Sequence, residues 1–282
     1  MNSNEEQKDY WTNSAGKLWV KDKVEKDNML EVLGNYALSK FNIIEGMNVL
    51  DIGCGTGITT TQIAKKINNI GYVSGLDFSE TMINEAIKYS EKLGIKNINF
   101  AVKDIQNEEL KILEYDAAFS RFGVMFFSNP IMAFKNIYSA LKKNGILTFI
   151  CWQSQKENPW YNSGLEIVKK YIDVPLPKEN SPGPFAYADK SYIHNILTNS
   201  GYKDIEFYSY EKDIELFKGL TLEPAIREYI ESTPIFKEKI LILGALDKEK
   251  IFLEIKDIWE PYFKDKHLLF PSKTWVICCK KY

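Results

Sequence analysis

Histidine and arginine are scarce in this sequence of 282 residues. The only histidines are His194 and His267, and arginine occurs only at positions 121 and 227. The four cysteines include no Cys-x-x-Cys pair, so the chain lacks the ligand spacing of a structural zinc site. We therefore expect no metal, and we expect both histidines to have structural or surface roles.

Long apolar runs and a strong charge of either sign are also missing. No apolar stretch approaches the roughly 20 residues of a membrane span, and the polar, acidic first residues do not form a signal peptide. The formal net charge is −2, which provides no basic field for nucleic acid. Cys151 and Cys279 lie in strand-like apolar runs typical of buried thiols. We expect a cytoplasmic protein without a nucleic-acid partner or a membrane span.

A phosphate loop of the form Gly-x-x-x-x-Gly-Lys-Ser/Thr is absent as well, so a P-loop nucleotide hydrolase is not supported. The chain has a different glycine turn at residues 47–58, where a short apolar run leads into three alternating glycines and then a helical pattern. This order predicts a strand, a tight turn and a helix whose first N–H groups face a ligand.

The spacing of this turn differs from that of dinucleotide-binding proteins. Their fingerprint is Gly-x-Gly-x-x-Gly, whereas here the third glycine, Gly57, comes one position early and Ile58 follows it. Asp51, two residues before Gly53, would repel a pyrophosphate and would accept a ligand with a cationic end. These features argue against an NAD-linked oxidoreductase.

The segment Asp-Ile-Gly-Cys-Gly-Thr-Gly, residues 51–57, resembles motif I of the class I S-adenosylmethionine-dependent methyltransferases. The resemblance covers about residues 10–201, and it is nearest to small-molecule enzymes similar to those of ubiquinone and menaquinone biosynthesis. It implies S-adenosyl-L-methionine as cofactor, with Gly53, Gly55 and Gly57 at its amino-acid portion and Asp51 at its ammonium group.

Acidic residues follow two further predicted strands. Asp77 stands 20 residues beyond Gly57, where a carboxylate can accept hydrogen bonds from a ribose diol; a turn or helix-capping acid is the alternative. Phe78 could stack on a purine. The resemblance implies that Asp104 and Ile105 contact the adenine. The candidate cofactor-binding residues are Trp19, Asp51, Gly53, Gly55, Gly57, Asp77, Phe78, Met82, Asp104, Ile105 and Ser120.

Arg121 and Phe122 are the candidate catalytic residues, because they end the fourth predicted strand beside the switch point of a doubly wound sheet. The guanidinium of Arg121 can pair with a carboxylate of the cofactor or substrate, or equally with a structural acid. Trp152 and Trp160 are further candidates for contact with the acceptor. Whether a general base exists stays open.

The strand and helix patterns predict an α/β fold with a doubly wound sheet. The resemblance implies a Rossmann-like sheet of seven strands whose last strand is antiparallel. We count four helices among the first five strands, and we expect the helix after Pro130 to stop at Asn144-Gly145. We predict a helical arm or lid over residues 1–45, of which residues 1–9 are disordered. The core comprises residues 46–217 and 272–282 and contains a loop insertion at 153–188. A helical cap comprises residues 218–271. In the arm, Trp11 and Trp19 could anchor the segment or cover a ligand.

The expected function is S-adenosylmethionine-dependent methyl transfer to the oxygen, nitrogen or carbon of a small-molecule acceptor. A protein methyltransferase and a catalytically silent cofactor-binding or interaction protein are the alternatives. The oligomeric state, monomer or homodimer, stays open.

Overall fold

The computed structural model describes residues 3–68, 70–175 and 178–282. In these ranges one mixed sheet contains the strands β1 (Val49–Ile52), β2 (Val73–Asp77), β3 (Ile98–Val102), β4 (Tyr115–Arg121), β5 (Leu141–Trp152), β6 (Lys203–Leu216), β7 (Phe263–Lys264) and β8 (His267–Lys280). The α-helices are α1 (Ser3–Asp9), α2 (Ala15–Lys21), α3 (Lys23–Lys40), α4 (Ile58–Lys66), α5 (Glu80–Lys92), α6 (Pro130–Ala140), α7 (Pro159–Val168), α8 (Lys190–Asn199), α9 (Leu222–Ser232), α10 (Pro234–Leu241) and α11 (Ala245–Trp259).

The strand order is β3-β2-β1-β4-β5-β8-β6, with the short β7 paired to β8. The first five strands are parallel, and β8 runs antiparallel between β5 and β6. The expected doubly wound α/β sheet with an antiparallel last strand is therefore confirmed, with β7 as an addition. Because the order reverses between β1 and β4, the carboxyl ends of these strands border a crevice suited to a ligand.

Burial explains the continuous apolar runs of the central strands. Every residue of β1 and β2 is buried, as expected for parallel strands covered on both faces. Helices α4 and α5 pack on this half of the sheet, whereas α3 packs on β5, β6 and β8. Among the described residues, no helix combines the length and the apolar composition needed to cross a bilayer.

Two predicted elements differ in the first half of the sheet. Helix α6 ends at Ala140 instead of Asn144-Gly145, because Leu141 is already extended and pairs with Tyr115. The first five strands are separated by three α-helices rather than four. Residues 103–114, between β3 and β4, contain no α-helix, since Asp104 accepts a hydrogen bond from the Gln106 N–H and forms an Asx-type turn.

Two segments expected to lack structure contain helices. Within the segment expected to be disordered, residues 3–9 form α1; residues 1 and 2 lie outside the described residues. The side chain of Asn4 is buried and bonded to Asp104, and this tertiary contact overrides the polar composition. The insertion at 153–188 contains α7, which begins with Pro159 at its first turn, a favourable position for proline.

The helices α9, α10 and α11 cover the end of the sheet where β8 begins. Trp259 of α11 has no exposed surface, and its ring packs against Tyr229 and Phe270 at centroid distances of 5.0 and 5.4 Å. The Trp259 indole N–H donates to the hydroxyl of Ser163 on α7 at 3.0 Å. These helices and α7 therefore share one apolar core with the sheet.

Candidate functional site

The glycine turn after β1 forms an open backbone floor. Gly53, Gly55 and Gly57 have φ values of +61°, +54° and +81°, which L side chains rarely adopt. A Cβ on Gly55 would meet no atom within 4 Å, so this position faces open space. A Cβ on Gly57 would lie 2.9 Å from both the Ala86 Cβ and the Phe100 ring. Gly55 therefore leaves room for a ligand, and Gly57 allows close packing beneath the turn.

Asp51 places a buried carboxylate beside this floor. Its Oδ2 accepts a hydrogen bond from the Thr60 hydroxyl at 2.6 Å, whereas its Oδ1 has no partner among the described residues. Burial raises the pKa of Asp51 to about 7. A buried carboxylate oxygen without a partner is costly, and the cationic end of a ligand would satisfy it. The ammonium group of the cofactor implied by the sequence therefore fits at Asp51.

Asp77, at the end of β2, supports the turn itself. Its Oδ2 accepts from the Gly55 N–H at 3.0 Å and its Oδ1 from the Ser79 N–H at 2.9 Å. Burial raises its pKa to about 6, partly offset by these backbone hydrogen bonds. Asp77 therefore stabilises the turn, and its contact with the ribose stays a prediction. Each carboxylate oxygen keeps a second lone pair, so Asp77 can also accept from a diol.

The third acid, Asp104, is already engaged by protein donors. Its Oδ1 accepts from the Gln106 N–H at 3.0 Å, and its Oδ2 accepts from the Asn107 amide at 2.8 Å and from the Asn4 amide of α1. Ile105, next to it, is buried. The N-terminal arm therefore reaches the strand end at which the resemblance leads us to expect the adenine.

One cavity of about 730 Å³ joins these groups, a volume within the usual range for ligand sites. Of the candidate cofactor-binding residues, it is lined by Trp19, Asp51, Gly53, Gly55, Asp77, Phe78, Met82, Asp104 and Ile105. Gly57 and Ser120 are not among the lining residues. The buried hydroxyl of Ser120 donates to the Ile52 carbonyl at 2.8 Å and accepts from the Gly123 N–H at 3.2 Å. Gly57 packs beneath the turn and Ser120 joins β4 to β1, and a contact of either residue with the cofactor stays a prediction.

Arg121 pairs with a structural acid in this structure. Its Nη2 lies 3.1 Å from Asp27 Oδ1 on α3, and the two side chains are 13% and 11% exposed. The aliphatic part of the Arg121 side chain packs over Gly34, where a Cβ would lie 2.9 Å from the Arg121 Cδ. Burial raises the pKa of Asp27 although the Arg121 charge opposes this shift. Arg121 also lines the cavity, so it connects α3 to the site.

Phe122 begins a row of aromatic rings that forms a second part of the cavity, here called the aromatic lobe. Its backbone has a φ of +61°, and its ring stacks on Trp152 at 4.5 Å and 19°. Trp152 meets Trp160 at 4.7 Å. The lobe is also lined by residues that the sequence interpretation did not single out as site residues: Tyr161, Leu165, Phe217, Tyr229 and Phe236. They come from α7, the end of β6 and the helices α9 and α10.

The N-terminal arm closes the cofactor side of the cavity. The Ser79 hydroxyl donates to the Trp11 carbonyl at 2.8 Å, and the Thr81 hydroxyl donates to the Thr12 carbonyl at 3.0 Å. Residues 10–14 form a π-helical turn, and a Cβ on Gly16 would lie 1.7 Å from the Trp11 carbonyl oxygen. This turn therefore requires glycine at position 16. Trp11 and Trp19 line the cavity with ring centroids 5.8 Å apart.

Relatives and solved structures agree with this geometry. The family model described as "Methyltransferase domain" matches residues 43–207. The ubiquinone biosynthesis O-methyltransferase of Rickettsia felis is 26% identical over 237 residues, which are 83% of this chain and 88% of that protein. The aklanonic acid methyltransferase DauC of Streptomyces sp. (strain C5) is 30% identical over 106 residues; the match covers 38% of this chain and 48% of that protein.

A solved structure extends the likeness to most of the chain. The phosphoethanolamine N-methyltransferase 2 of Haemonchus contortus, in complex with S-adenosyl-L-methionine, superposes with a TM-score of 0.57 at 18% identity. The alignment covers 97% of this chain and 59% of that one, and it supports the fold. Together with the family match, the glycine turn and the acid of motif I, this shows that the chain belongs to the methyltransferase-domain family of class I S-adenosylmethionine-dependent methyltransferases.

Proposed function

We propose that this protein transfers the methyl group of S-adenosyl-L-methionine to a small-molecule acceptor held in the aromatic lobe. The observation that carries the proposal is the unpartnered Asp51 Oδ1 beside the open Gly55 position, in the same cavity as the Phe122–Trp152 ring stack. A cation-binding floor and a separate apolar chamber in one cavity suit a cofactor and an acceptor that must meet.

The cofactor side of the cavity is assigned residue by residue. Asp51 would hold the ammonium group, Gly53 and Gly55 would allow close approach of the amino-acid portion, and Asp77 would accept from the ribose. Asp104 would face the adenine amino group once Asn4 shares or releases it, and Trp19 would cover the site. The adenine ring would lie among the apolar side chains of Phe78, Met82 and Ile105, which line this region.

When bound, the cofactor supplies a methyl group made electrophilic by its sulfonium. The protein therefore has to orient the acceptor and exclude water. Orientation of this kind lowers barriers by roughly 7 to 11 kcal/mol in favourable models. Phe122 and Trp152 provide flat, buried surface for the acceptor, and the docked arm shields the cofactor side from solvent. Arg121 is assigned as a positioning residue that holds α3 through Asp27.

The names of the relatives support a small acceptor. One is a ubiquinone biosynthesis O-methyltransferase and another an aklanonic acid methyltransferase. We propose oxygen as the methylated atom to be tested first, with nitrogen and carbon as the other outcomes. The four cysteines are free, and three of them are buried, which suits a reducing compartment and supports a cytoplasmic location.

Two measurements test this function. Calorimetry with S-adenosylhomocysteine and with NADH should show binding of the first alone, and Asp51→Asn should weaken that binding. Incubation of a metabolite extract with tritiated S-adenosyl-L-methionine should then yield a product heavier by one methylene. Binding without any labelled product would favour the silent cofactor-binding alternative. Trp160→Ala should lower turnover while leaving the affinity for S-adenosylhomocysteine unchanged, as expected of a residue that touches only the acceptor.

A further inference from the structure

Three tyrosine side chains line the cavity from three different elements. Tyr10 belongs to the π-helical turn of the arm, Tyr161 to α7 and Tyr229 to α9. In the part of the chain that the structure describes, none of their hydroxyls has a hydrogen-bond partner. Tyr10 is 45% exposed, and Tyr161 and Tyr229 are partly buried, so these hydroxyls are not sealed inside the protein. A hydroxyl that lines a cavity and is not used by the protein can pair with a ligand. Three such hydroxyls around one chamber therefore offer a ligand three hydrogen-bonding groups.

Tyr161 lies within electrostatic range of both Tyr10 and Tyr229. Burial raises the pKa of each hydroxyl; the charge of Tyr10 raises the pKa of Tyr161 further, and the charge of Tyr161 raises that of Tyr229. Tyr161 is thus between the other two. The hydroxyls remain protonated at neutral pH, so each can donate a hydrogen bond as well as accept one.

Packing fixes the rings behind these hydroxyls. Tyr161 meets Phe185 edge-on at 4.9 Å and Trp160 at 5.7 Å. Tyr10 meets Trp11 edge-on at 5.7 Å. Tyr229 packs against Trp259 at 5.0 Å and Phe236 at 5.4 Å. The Tyr161 and Tyr229 hydroxyls are therefore preorganised donors, whereas the more exposed Tyr10 would be ordered by the ligand.

We propose that Tyr10, Tyr161 and Tyr229 form the recognition site for an oxygen substituent, a hydroxyl or carbonyl, on a flat aromatic acceptor. The acceptor ring would lie along Phe122 and Trp152, and its oxygen would face the three hydroxyls. This inference rests on the proposed function, because it takes the aromatic lobe to be the acceptor chamber. Since Tyr10 comes from the arm, the recognition site is complete only while the arm is docked.

The test uses two probes of nearly equal shape, 4-nitrophenol and 4-nitrotoluene, which differ by a hydroxyl in place of a methyl. Their dissociation constants are measured by absorbance in slightly acidic buffer, where the phenol is uncharged, with S-adenosylhomocysteine present. We expect the wild-type protein to prefer 4-nitrophenol by about tenfold, the size of one or two hydrogen bonds. Tyr161→Phe and Tyr229→Phe should each reduce this preference severalfold, as should Tyr10→Phe.

Tyr187→Phe is the matched control, because the Tyr187 hydroxyl has no partner either but is fully buried and its residue does not line the cavity. It should leave the preference unchanged. The proposal is overturned if the wild-type protein binds both probes equally or binds neither, or if the preference survives in the triple Tyr→Phe variant. Calorimetry of S-adenosylhomocysteine on the same samples separates the two questions. If S-adenosylhomocysteine fails to bind, that result counts against the proposed function. The comparison of the two probes still tests whether the three tyrosines recognise an oxygen substituent.

Discussion

Arg121 at the end of β4 holds Asp27 of α3 in an ion pair of 3.1 Å that is largely shielded from solvent. The pair connects α3, the last helix of the N-terminal arm, to the strand end beside the glycine turn. It also leaves Asp27 Oδ2 without a partner among the described residues. Stability of a shielded pair depends on both charges being present.

Breaking this pair from the arginine side should be the more damaging change. Arg121→Gln leaves the Asp27 carboxylate buried without a counterion, and we expect the free energy of unfolding to fall by about 3 kcal/mol. Asp27→Asn should cost less, because burial already raises the pKa of Asp27. Urea unfolding of the two single variants and of the double variant Arg121→Met/Asp27→Leu, which removes both charges, measures these free energies of unfolding. A double variant as unstable as Arg121→Gln would contradict the expectation.

The raised pKa of Asp51 predicts opposite effects of pH on stability and on binding. In the ligand-free protein burial raises this pKa from 3.8 to about 7, so between these values the folded state binds more protons than the unfolded state. Stability should therefore fall as the pH rises through this window. Asp51→Asn should reduce this loss of stability. A smaller loss should remain because burial also raises the pKa of Asp77, to about 6. Thermal unfolding across the window checks this.

Affinity for S-adenosylhomocysteine should follow the ionised form of Asp51. We expect it to rise with pH up to about 7 and to level off above that value, because only the carboxylate attracts the ammonium group. Asp51→Asn should bind more weakly, with a flatter profile. A wild-type profile that declines over the same range would show that Asp51 does not hold the cation.

Two glycines of the same turn should fail in different ways. Gly55→Ala places a methyl group in open space at φ +54°, so we expect a stability loss of about 1 to 2 kcal/mol from backbone strain and a large loss of S-adenosylhomocysteine affinity. Gly57→Ala adds contacts of 2.9 Å with Ala86 and Phe100, so the stability loss should be larger. Calorimetry and urea unfolding of both variants distinguish the two roles. Equal stability losses would argue against the assignment.

The arm should detach when its π-helical turn is disturbed. Gly16→Ala would place a Cβ 1.7 Å from the Trp11 carbonyl oxygen, and the turn has to open to relieve the overlap. We expect faster hydrogen exchange over residues 3–21, a thermal midpoint within a few degrees of wild type, and weaker S-adenosylhomocysteine binding. Lys17→Ala, at an exposed neighbouring position, is the matched control. Unchanged exchange in Gly16→Ala would contradict a tightly packed turn.

The glycine turn and the strand before it were predictable because their signals are local. The run from Asp51 to Gly57 combines strand, acid and turn within seven residues, and the acid at Asp77 follows at a spacing set by one helix and one strand. Ser120 lies at a strand end as predicted, whereas its contact with the cofactor stays a prediction. Its hydroxyl bonds to the backbone of β1 and of Gly123, and sequence does not show the direction of a side chain.

The proposed acceptor side could not be assembled from sequence, since its residues meet only through tertiary packing. Tyr10, Tyr161 and Tyr229 are separated by 151 and 68 positions, and nothing local distinguishes them from the other tyrosines. The partner of Arg121 is hidden for the same reason, because Asp27 is one of several acids on α3. Helix α1 formed where polarity suggested disorder, through the long-range bond between Asn4 and Asp104.

The position of β8 has a consequence for how this protein is made on the ribosome. Residues 267–280 follow α9–α11 in the chain, yet they fill the gap between β5 and β6. Until they have left the exit tunnel, β5 and the 14-residue β6 each present an open edge, and such edges invite pairing with another nascent chain. The elements from α1 to α11 are therefore synthesised before β8 can join β5 to β6, and chaperone protection would matter most in that interval.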